Sequence, residues 1–155
     1  MLYSYSYETP VGRIQIIENG SAIIGIRLPG ESFHADTKNY ETDLLRKAGG
    51  QLKEYFEGKR KKFDLPLAPE GTPFMQKVWN QLQRIIYGET CSYKDIAVAI
   101  GNSNAMRAVG MANHRNPLPI IIPCHRVIGA NGSLVGYGGG LPMKKFLLDL
   151  EKRNA

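Results

Sequence analysis

The sequence is short of cysteine, with only Cys91 and Cys124 among its 155 residues. Two thiols cannot staple a disulfide scaffold, and without an export signal they suit a reducing, intracellular setting. The opening MLYSYSYETP has neither a basic n-region nor an apolar h-region, so no signal peptide is expected there. No run approaches the roughly 18 apolar residues that cross a bilayer, so no membrane partner is expected. Internal repeats and low-complexity tracts are also missing. Charged residues make up 22% and hydrophobic residues 43%, a globular composition rather than a disordered one. That length suffices for one domain or two small ones. Acids run short in one half: residues 71–155 hold four (Glu89, Asp95, Asp149, Glu151) against ten Lys and Arg. Residues 1–70 hold ten of each, so the net charge of +6 lies wholly in the second half. Such a surplus suits a polyanionic partner, although a generally basic surface explains it equally well.

What is present divides the chain in two. Residues 1–30 alternate with period two, Tyr3, Tyr5 and Tyr7 against Ser4 and Ser6, then Ile14 and Ile16 against Arg13 and Gln15. Turns are expected at Pro10-Val11-Gly12 and at Asn19-Gly20. A helix follows over 38–57, interrupted in its pattern by Gly49-Gly50, and Lys59 to Lys62 reads as a solvated run. Residues 66–71 read as a linker, which predicts domains 1–66 and 67–155. Thr72 and Pro73 open a helix as N-cap and N1, with Phe74, Val78, Leu82, Ile85 and Ile86 inward and Gly88 at its end. Ser92 and Asp95 form a capping-box pattern before Ile96, Ala97 and Ile100, and Gly101 stops that short helix. Ser103 is placed to cap a second over 104–115, which gives a helix-turn-helix outline. Asn116-Pro117-Leu118-Pro119 must leave helical geometry. Ile120 to Ile122 reads as a short buried strand or extended run. A Gly-rich stretch from Gly129 to Gly140 precedes a last helix starting at Pro142, with Met143, Phe146, Leu147 and Leu150 apolar.

Cys124 stands between a proline and a His-Arg pair at the end of an apolar run. An unpaired cysteine is by default a small buried hydrophobe, whereas nearby positive charge lowers a thiol pKa and favours the nucleophilic thiolate. The gain has a ceiling. Lowering the pKa from about 8.5 to about 7 raises the thiolate fraction about 16-fold at pH 7. Intrinsic nucleophilicity falls with a slope of about 0.4–0.5 per unit, which leaves about 3- to 4-fold. Positioning the sulfur in line with its target must therefore contribute more. Cys91, at a helix start, is the weaker nucleophile candidate.

The string Ile122-Pro123-Cys124-His125-Arg126-Val127 resembles the active-site signature of the O6-alkylguanine-DNA alkyltransferases. Ser92-Tyr93, Arg107-Ala108-Val109-Gly110, Asn116-Pro117, Tyr137, Gly139-Gly140-Leu141, Lys144 and Glu151 follow in that family's order at near-family spacing. The likeness is dense over 72–151 and loose before it, where Thr9 to Gly12 carries it. The fold it implies is α/β (α+β), a small N-terminal antiparallel sheet with one helix, ribonuclease H-like, before a mostly helical domain with a winged-helix-like helix-turn-helix. The activity it implies is DNA repair by direct reversal. The alkyl group of O6-alkylguanine, and of O4-alkylthymine as a further candidate, passes irreversibly to Cys124 in one turnover.

By that resemblance Cys124 is the acceptor, and His125 and Glu151 are its activating relay through a water. Tyr93 donates to ring nitrogen N3. The carbonyls of Cys124 and Val127 read the base edge, Tyr137 is a further base-binding residue, and the Gly138 N–H meets O6. Many relatives have Ser in place of Gly138. Asn116 is the hinge to the active-site loop. Arg107 enters the base stack when the damaged nucleotide is flipped out, since an O6 substituent inside a duplex cannot reach a buried sulfur. Ala105, Ala108, Gly110 and Ala112 let the helix approach the minor groove, and Ser92 and Arg126 complete the expected DNA contacts. The partner implied is double-stranded DNA containing alkylated guanine, met by a monomer in the cytoplasm, or the nucleus of a eukaryote. No cofactor is expected. Some relatives hold zinc near the N-terminus, but that half has His34 and no Cys, so no metal is expected. Phe146 stands where some relatives have Trp. A lesion sensor without the acceptor cysteine, a helix-turn-helix regulator and a cysteine hydrolase are the competing classes. Cys124 opposes the first, the Pro-Cys-His-Arg-Val string the second, and the lack of a supporting motif around His34 or His114 the third.

Overall fold

The computed structural model describes residues 1–34 and 36–155. They form two compact units, Met1–Glu70 and Gly71–Ala155.

In the first unit the period-two segments become β1 (Tyr3–Thr9), β2 (Gly12–Glu18) and β3 (Ile23–Arg27). They pair antiparallel, with Thr9 opposite Gly12 across the first turn. Gly12 and Gly20 take positive φ there, a conformation glycine adopts without steric cost. The expected helix over 38–57 begins later than its pattern suggests. Lys38–Asn39 instead form β4, parallel to β1, so the sheet is antiparallel with one parallel edge, in the order β3-β2-β1-β4. Thr42 caps α1 (Asp43–Phe56) by accepting from the Leu45 N–H, and its own hydroxyl donates to the buried Glu18 carboxylate at 2.7 Å. Leu45, Ala48, Leu52, Tyr55 and Phe56 are buried, as are Ile14, Ile16 and Ile17 of the sheet. Residues 66–68, expected as linker, pair with β3 instead: Ile23 N donates to Pro66 O at 2.8 Å and Ala68 N to Ile23 O at 2.9 Å. The first unit therefore extends to Glu70.

The second unit starts with α2 (Pro73–Leu82), capped by Thr72 with Pro73 at N1. It ends at Leu82 rather than running to Gly88, and Ile86 is exposed. Trp79, which the apolar pattern missed, is buried and donates from Nε1 to Ala112 O at 2.8 Å. Two residues, Cys91–Ser92, form β5. The Ser92–Asp95 capping box then opens α3 (Tyr93–Ala99). Gly101, at positive φ, turns the chain toward α4 (Met106–His114), which has Ala105 at its N-cap and no side-chain cap. Ser103 does not cap it, because the helix starts two residues later than expected. Ile120 to Ile122 is buried but forms no strand of its own. Ile120 lies at φ 75, in the left-handed region that a β-branched residue enters only when its surroundings force it. A 3-10 turn, Cys124–Arg126, leads into β6 (Val127–Ile128), parallel to β5. The last helix, α5 (Leu141–Asn154), buries Met143, Leu147 and Leu150, while Phe146 is exposed rather than part of that face. Among the described residues no helix is long and apolar enough to cross a membrane.

Gly49 and Gly50 sit mid-helix for different reasons. A Cβ on Gly49 would stand 2.5 Å from the Tyr7 ring, whereas one on Gly50 meets nothing within 4 Å. Gly50→Ala should raise stability by about 0.5–1 kcal/mol from helix propensity. Gly49→Ala should lower it by about 1–3 kcal/mol because the ring must move. Urea denaturation of both variants checks this, and a stabilising Gly49→Ala contradicts the packing described.

Candidate active site

Cys124 opens the 3-10 turn, and its carbonyl accepts from Asn113 near the end of α4 at 3.3 Å. Asn116 makes the first joint. Its amide donates to Ile122 O at 2.8 Å and its oxygen accepts from Leu118 N at 2.9 Å, which fixes the turn after α4. That same side chain also favours the ionised form of the Cys124 thiol.

The turn is anchored from below by one carboxylate. Glu151 of α5, 1% exposed, accepts from Arg126 Nε at 2.7 Å and Nη2 at 3.1 Å. On its other side His125 Nε2 lies 2.6 Å from Oε2. Arg126 also donates from Nη1 to Ile85 O at 2.7 Å, so the segment before β5 is tied in as well. Burial opposes the charge on Glu151, but the bonds from His125 and Arg126 outweigh it and hold the carboxyl at about 2. An ionised Glu151 only accepts, so the hydrogen between it and His125 is on Nε2. The imidazole is wholly buried, which holds its pKa below the ordinary value although Glu151 pulls the other way. His125 is therefore neutral with Nδ1 as acceptor, and Nδ1 has no partner among the described residues. A buried, neutral acceptor oriented by an ionised carboxylate is the arrangement of a general base.

Two expectations are corrected here. Arg126 does not face a DNA phosphate, because its guanidinium is buried and committed to Glu151 and Ile85. Nor does positive charge from His125 and Arg126 lower the Cys124 pKa. Burial pushes the thiol up to about 11, against smaller opposing effects from the Asn116 amide and the Lys144 charge. At rest the sulfur is a thiol.

Lys144 is the residue whose role the sequence did not reveal. Its ammonium is buried and donates to Val127 O at 2.6 Å, Val135 O at 2.7 Å and Gly136 O at 3.3 Å. It joins α5 to β6 and to the glycine-rich loop, and burial lowers its pKa while Cys124 raises it. A family-ordered lysine four residues into the last helix was the available signal, but nothing in the pattern says that it points inward.

The remaining expected residues divide. Tyr93 opens α3 half-buried, with its hydroxyl 3.4 Å from Val135 O, and burial raises its pKa. Tyr137 is half-buried and Gly138 exposed in the loop, with nothing within 4 Å of where a Gly138 Cβ would stand. Arg107 and Ala108 are exposed on α4, and Ala105 is half-buried at its start. Gly110 faces the Tyr93 ring, 3.8 Å from its would-be Cβ. Ala112 is corrected: at 1% exposure, with its carbonyl accepting from Trp79 Nε1, it belongs to the core rather than to a DNA-facing surface. Ser92 spends its hydroxyl oxygen on the α3 cap, which leaves only the hydrogen for a phosphate. Among the described residues no three His, Cys, Asp or Glu side chains gather as a metal site.

The cluster sets a pH dependence. His125 is held below its ordinary 6.5 and Glu151 below 4.5, so in both cases the unfolded chain takes up its proton first as pH falls. Stability is complete above about 6.5, declines below it through His125 and declines further below about 4.5 through Glu151. Urea midpoints at pH 7.5, 5.5 and 4 should fall in that order, and a flat profile contradicts the assignment. Glu151→Gln, which leaves Arg126 buried without its counter-charge, should cost about 3–5 kcal/mol.

Comparison with known proteins agrees over the whole chain. Residues 1–69 match the family model described as "6-O-methylguanine DNA methyltransferase, ribonuclease-like domain" and residues 73–153 its "DNA binding domain". A methylated-DNA–protein-cysteine methyltransferase of Bacillus subtilis, named as constitutive, is 49% identical over 98% of this chain and 96% of its own. One from Methanosarcina acetivorans is 48% identical over 97% and 98%. The crystal structure of Mycobacterium tuberculosis OGT in complex with DNA superposes with a TM-score of 0.93 at 43% identity, over 99% of this chain and 94% of that one. With sequence, fold and active-site cluster in agreement, the chain belongs to the 6-O-methylguanine DNA methyltransferase family.

Proposed function

We propose that the protein repairs DNA by transferring the alkyl group from O6 of guanine to Cys124, where it stays, so that each chain acts once. The observation that carries this reading is the neutral, buried His125, next in sequence to Cys124, fixed by ionised Glu151 with its Nδ1 unpartnered among the described residues.

With the thiol at about 11, on the order of one molecule in ten thousand is ionised at pH 7. A pre-formed thiolate is not the working device. The proton leaves as the sulfur attacks: Sγ forms a bond to the alkyl carbon, the C–O6 bond breaks, and its electron pair returns to the purine. His125 takes the thiol proton through a bridging water, and Tyr93 lends a hydrogen to N3 so that guanine leaves neutral. His125 then releases the thiol proton to solvent and Tyr93 takes one back, so in the net balance one proton passes from sulfur to the base. The thioether has no proton to lose and no good leaving group, which makes the transfer irreversible.

Delivery of the base needs extrusion from the duplex, which costs a few kcal/mol of stacking. Arg107, exposed on α4 beside Ala108, is the side chain offered to fill the gap from the minor groove, with Ala105 and Gly110 keeping the helix slim. Val127 O, Tyr137 and the Gly138 N–H line the path to the sulfur, with Lys144 holding that loop in place. The basic surplus of the second unit supplies affinity for phosphates. Such a protein works as a monomer where the genome is, in the cytoplasm, or the nucleus of a eukaryote, and it needs no cofactor.

Cys124→Ser should bind O6-methylguanine duplex with affinity close to that of the parent and gain no mass. Continued transfer by this variant shows that another residue is the acceptor. Arg107→Ala should slow repair of duplex DNA at least tenfold more than reaction with free O6-benzylguanine, as expected when a few kcal/mol of extrusion loses its support. Equal losses on the two substrates rule out a base-flipping role.

A further inference from the structure

Met111 was singled out neither by the sequence nor by the resemblance, yet it lies at the centre of the face that carries Arg107. On α4 and its C-cap the exposed residues are Met106, Arg107, Ala108, Met111, His114 and Arg115, whereas Val109, Ala112 and Asn113 are buried. With about 3.6 residues per turn, all the exposed ones but Met106 fall on one side of the helix. Met111 is in the middle of that side, between Arg107 and His114 on one flank and Ala108 and Arg115 on the other. The buried side is fixed: Trp79 Nε1 donates to Ala112 O at 2.8 Å and Asn113 Nδ2 to Cys124 O at 3.3 Å. A lone exposed apolar side chain needs no explanation in general. This one, 56% exposed, stands at the crest of a face that has two arginines and no carboxylate.

We propose that Met111 is an apolar wedge, which enters the minor groove of the damaged duplex beside Arg107 and loosens the base stack there. The inference rests on the reading that α4 is the helix that meets DNA. A minor groove is about 6 Å wide, so the residue at the middle of a helix face goes deepest and those on its flanks meet the walls. The chemistry fits that order. His114 and Arg115 stand on opposite flanks, toward the two phosphate walls, and the thioether stands between them, toward the bases. Proteins of the minor groove unstack base steps with inserted apolar side chains, methionine among them, and an unbranched thioether adapts to an irregular floor. Four residues of helix span about 6 Å, under two base steps of about 3.4 Å. A step opened by Met111 is therefore close to the gap that Arg107 fills, and part of the stacking that extrusion must break is already lost.

The test uses Met111→Ala, Met111→Leu, Arg115→Ala and Arg107→Ala. Binding to an O6-methylguanine duplex is measured across a salt series in Cys124→Ser protein, where no transfer intervenes. Rates on that duplex and on free O6-benzylguanine are measured with Cys124 in place. Met111→Ala should weaken binding about tenfold, the loss expected when a methionine buried in a complex is cut back to its Cβ. Its salt dependence should match the parent's, because no charge is removed, whereas Arg115→Ala should reduce the slope by about one. Met111→Leu, equally apolar and of similar volume, should bind like the parent. The ratio of duplex rate to free-base rate, which does not depend on the fraction of protein folded, should fall about tenfold in Met111→Ala. At saturating protein, 2-aminopurine beside the lesion should brighten less with Met111→Ala than with the parent on at least one side. Parent-like binding by Met111→Ala, equal losses on duplex and free base, or equal brightening on both sides overturns the inference. If Arg107→Ala still shows its selective loss on duplex, the role of α4 stands without the wedge. If Arg107→Ala, Arg115→Ala and Met111→Ala all bind and repair duplex like the parent, α4 does not meet DNA and the inference falls with that reading.

Discussion

A single buried carboxylate organises the second unit. Glu151 reaches up from α5 and receives Arg126 on one side and His125 on the other, both from the turn that also carries Cys124. Through Arg126 the segment at Ile85 is drawn in, and the Gly88 N–H approaches the same carboxylate at 3.4 Å. Burying three polar groups is expensive unless each is satisfied. Here the charges of Glu151 and Arg126 cancel, and neutral His125 keeps one nitrogen in reserve. The network therefore does two things at once. It pins the nucleophile's backbone, and it sets the tautomer that leaves Nδ1 able to take a proton.

Under the proposed one-turnover reading, holding the sulfur as a thiol has a chemical logic. A permanently ionised cysteine is open to oxidation and to stray electrophiles. A thiol that loses its proton only alongside a correctly seated base is protected until needed. The same burial that raises its pKa to about 11 keeps bulk solvent from the sulfur. Asn116 and Lys144 lower the cost of ionisation at that moment without removing the barrier at rest. Lys144 further couples β6, which follows the Cys124 turn, to the glycine-rich loop through its three carbonyl partners.

Much of this was legible in the chain itself. The hairpins, the Thr72-Pro73 start, the Ser92–Asp95 box and the sulfur's surrounding string all depend on local chemistry, and local chemistry is written in neighbouring residues. What escaped depends on contacts distant in sequence. Arg126 reads as a phosphate ligand until Glu151, 25 residues on, is seen to capture it. Ala112 reads as part of a slim DNA-facing helix until it is found buried, with Trp79 Nε1 bonded to its carbonyl. Lys144 and Asn113 look like ordinary helix residues, because helical periodicity does not say which polar side chain is turned inward to meet backbone carbonyls. Likewise Gly49 weakens α1 on propensity grounds and is explained only by the Tyr7 ring packed against it. Strand β4 is two residues long and polar, which leaves no hydrophobic pattern to find.

The central claim is that His125 is a neutral base whose open nitrogen is Nδ1, held so by an ionised Glu151. Nitrogen-15 NMR of protein labelled at its histidines measures this directly at pH 7. The account predicts that the His125 resonances show a protonated Nε2 and an unprotonated Nδ1, unchanged as pH is lowered to 6. An imidazolium, or a proton on Nδ1 with Nε2 bare, would contradict it.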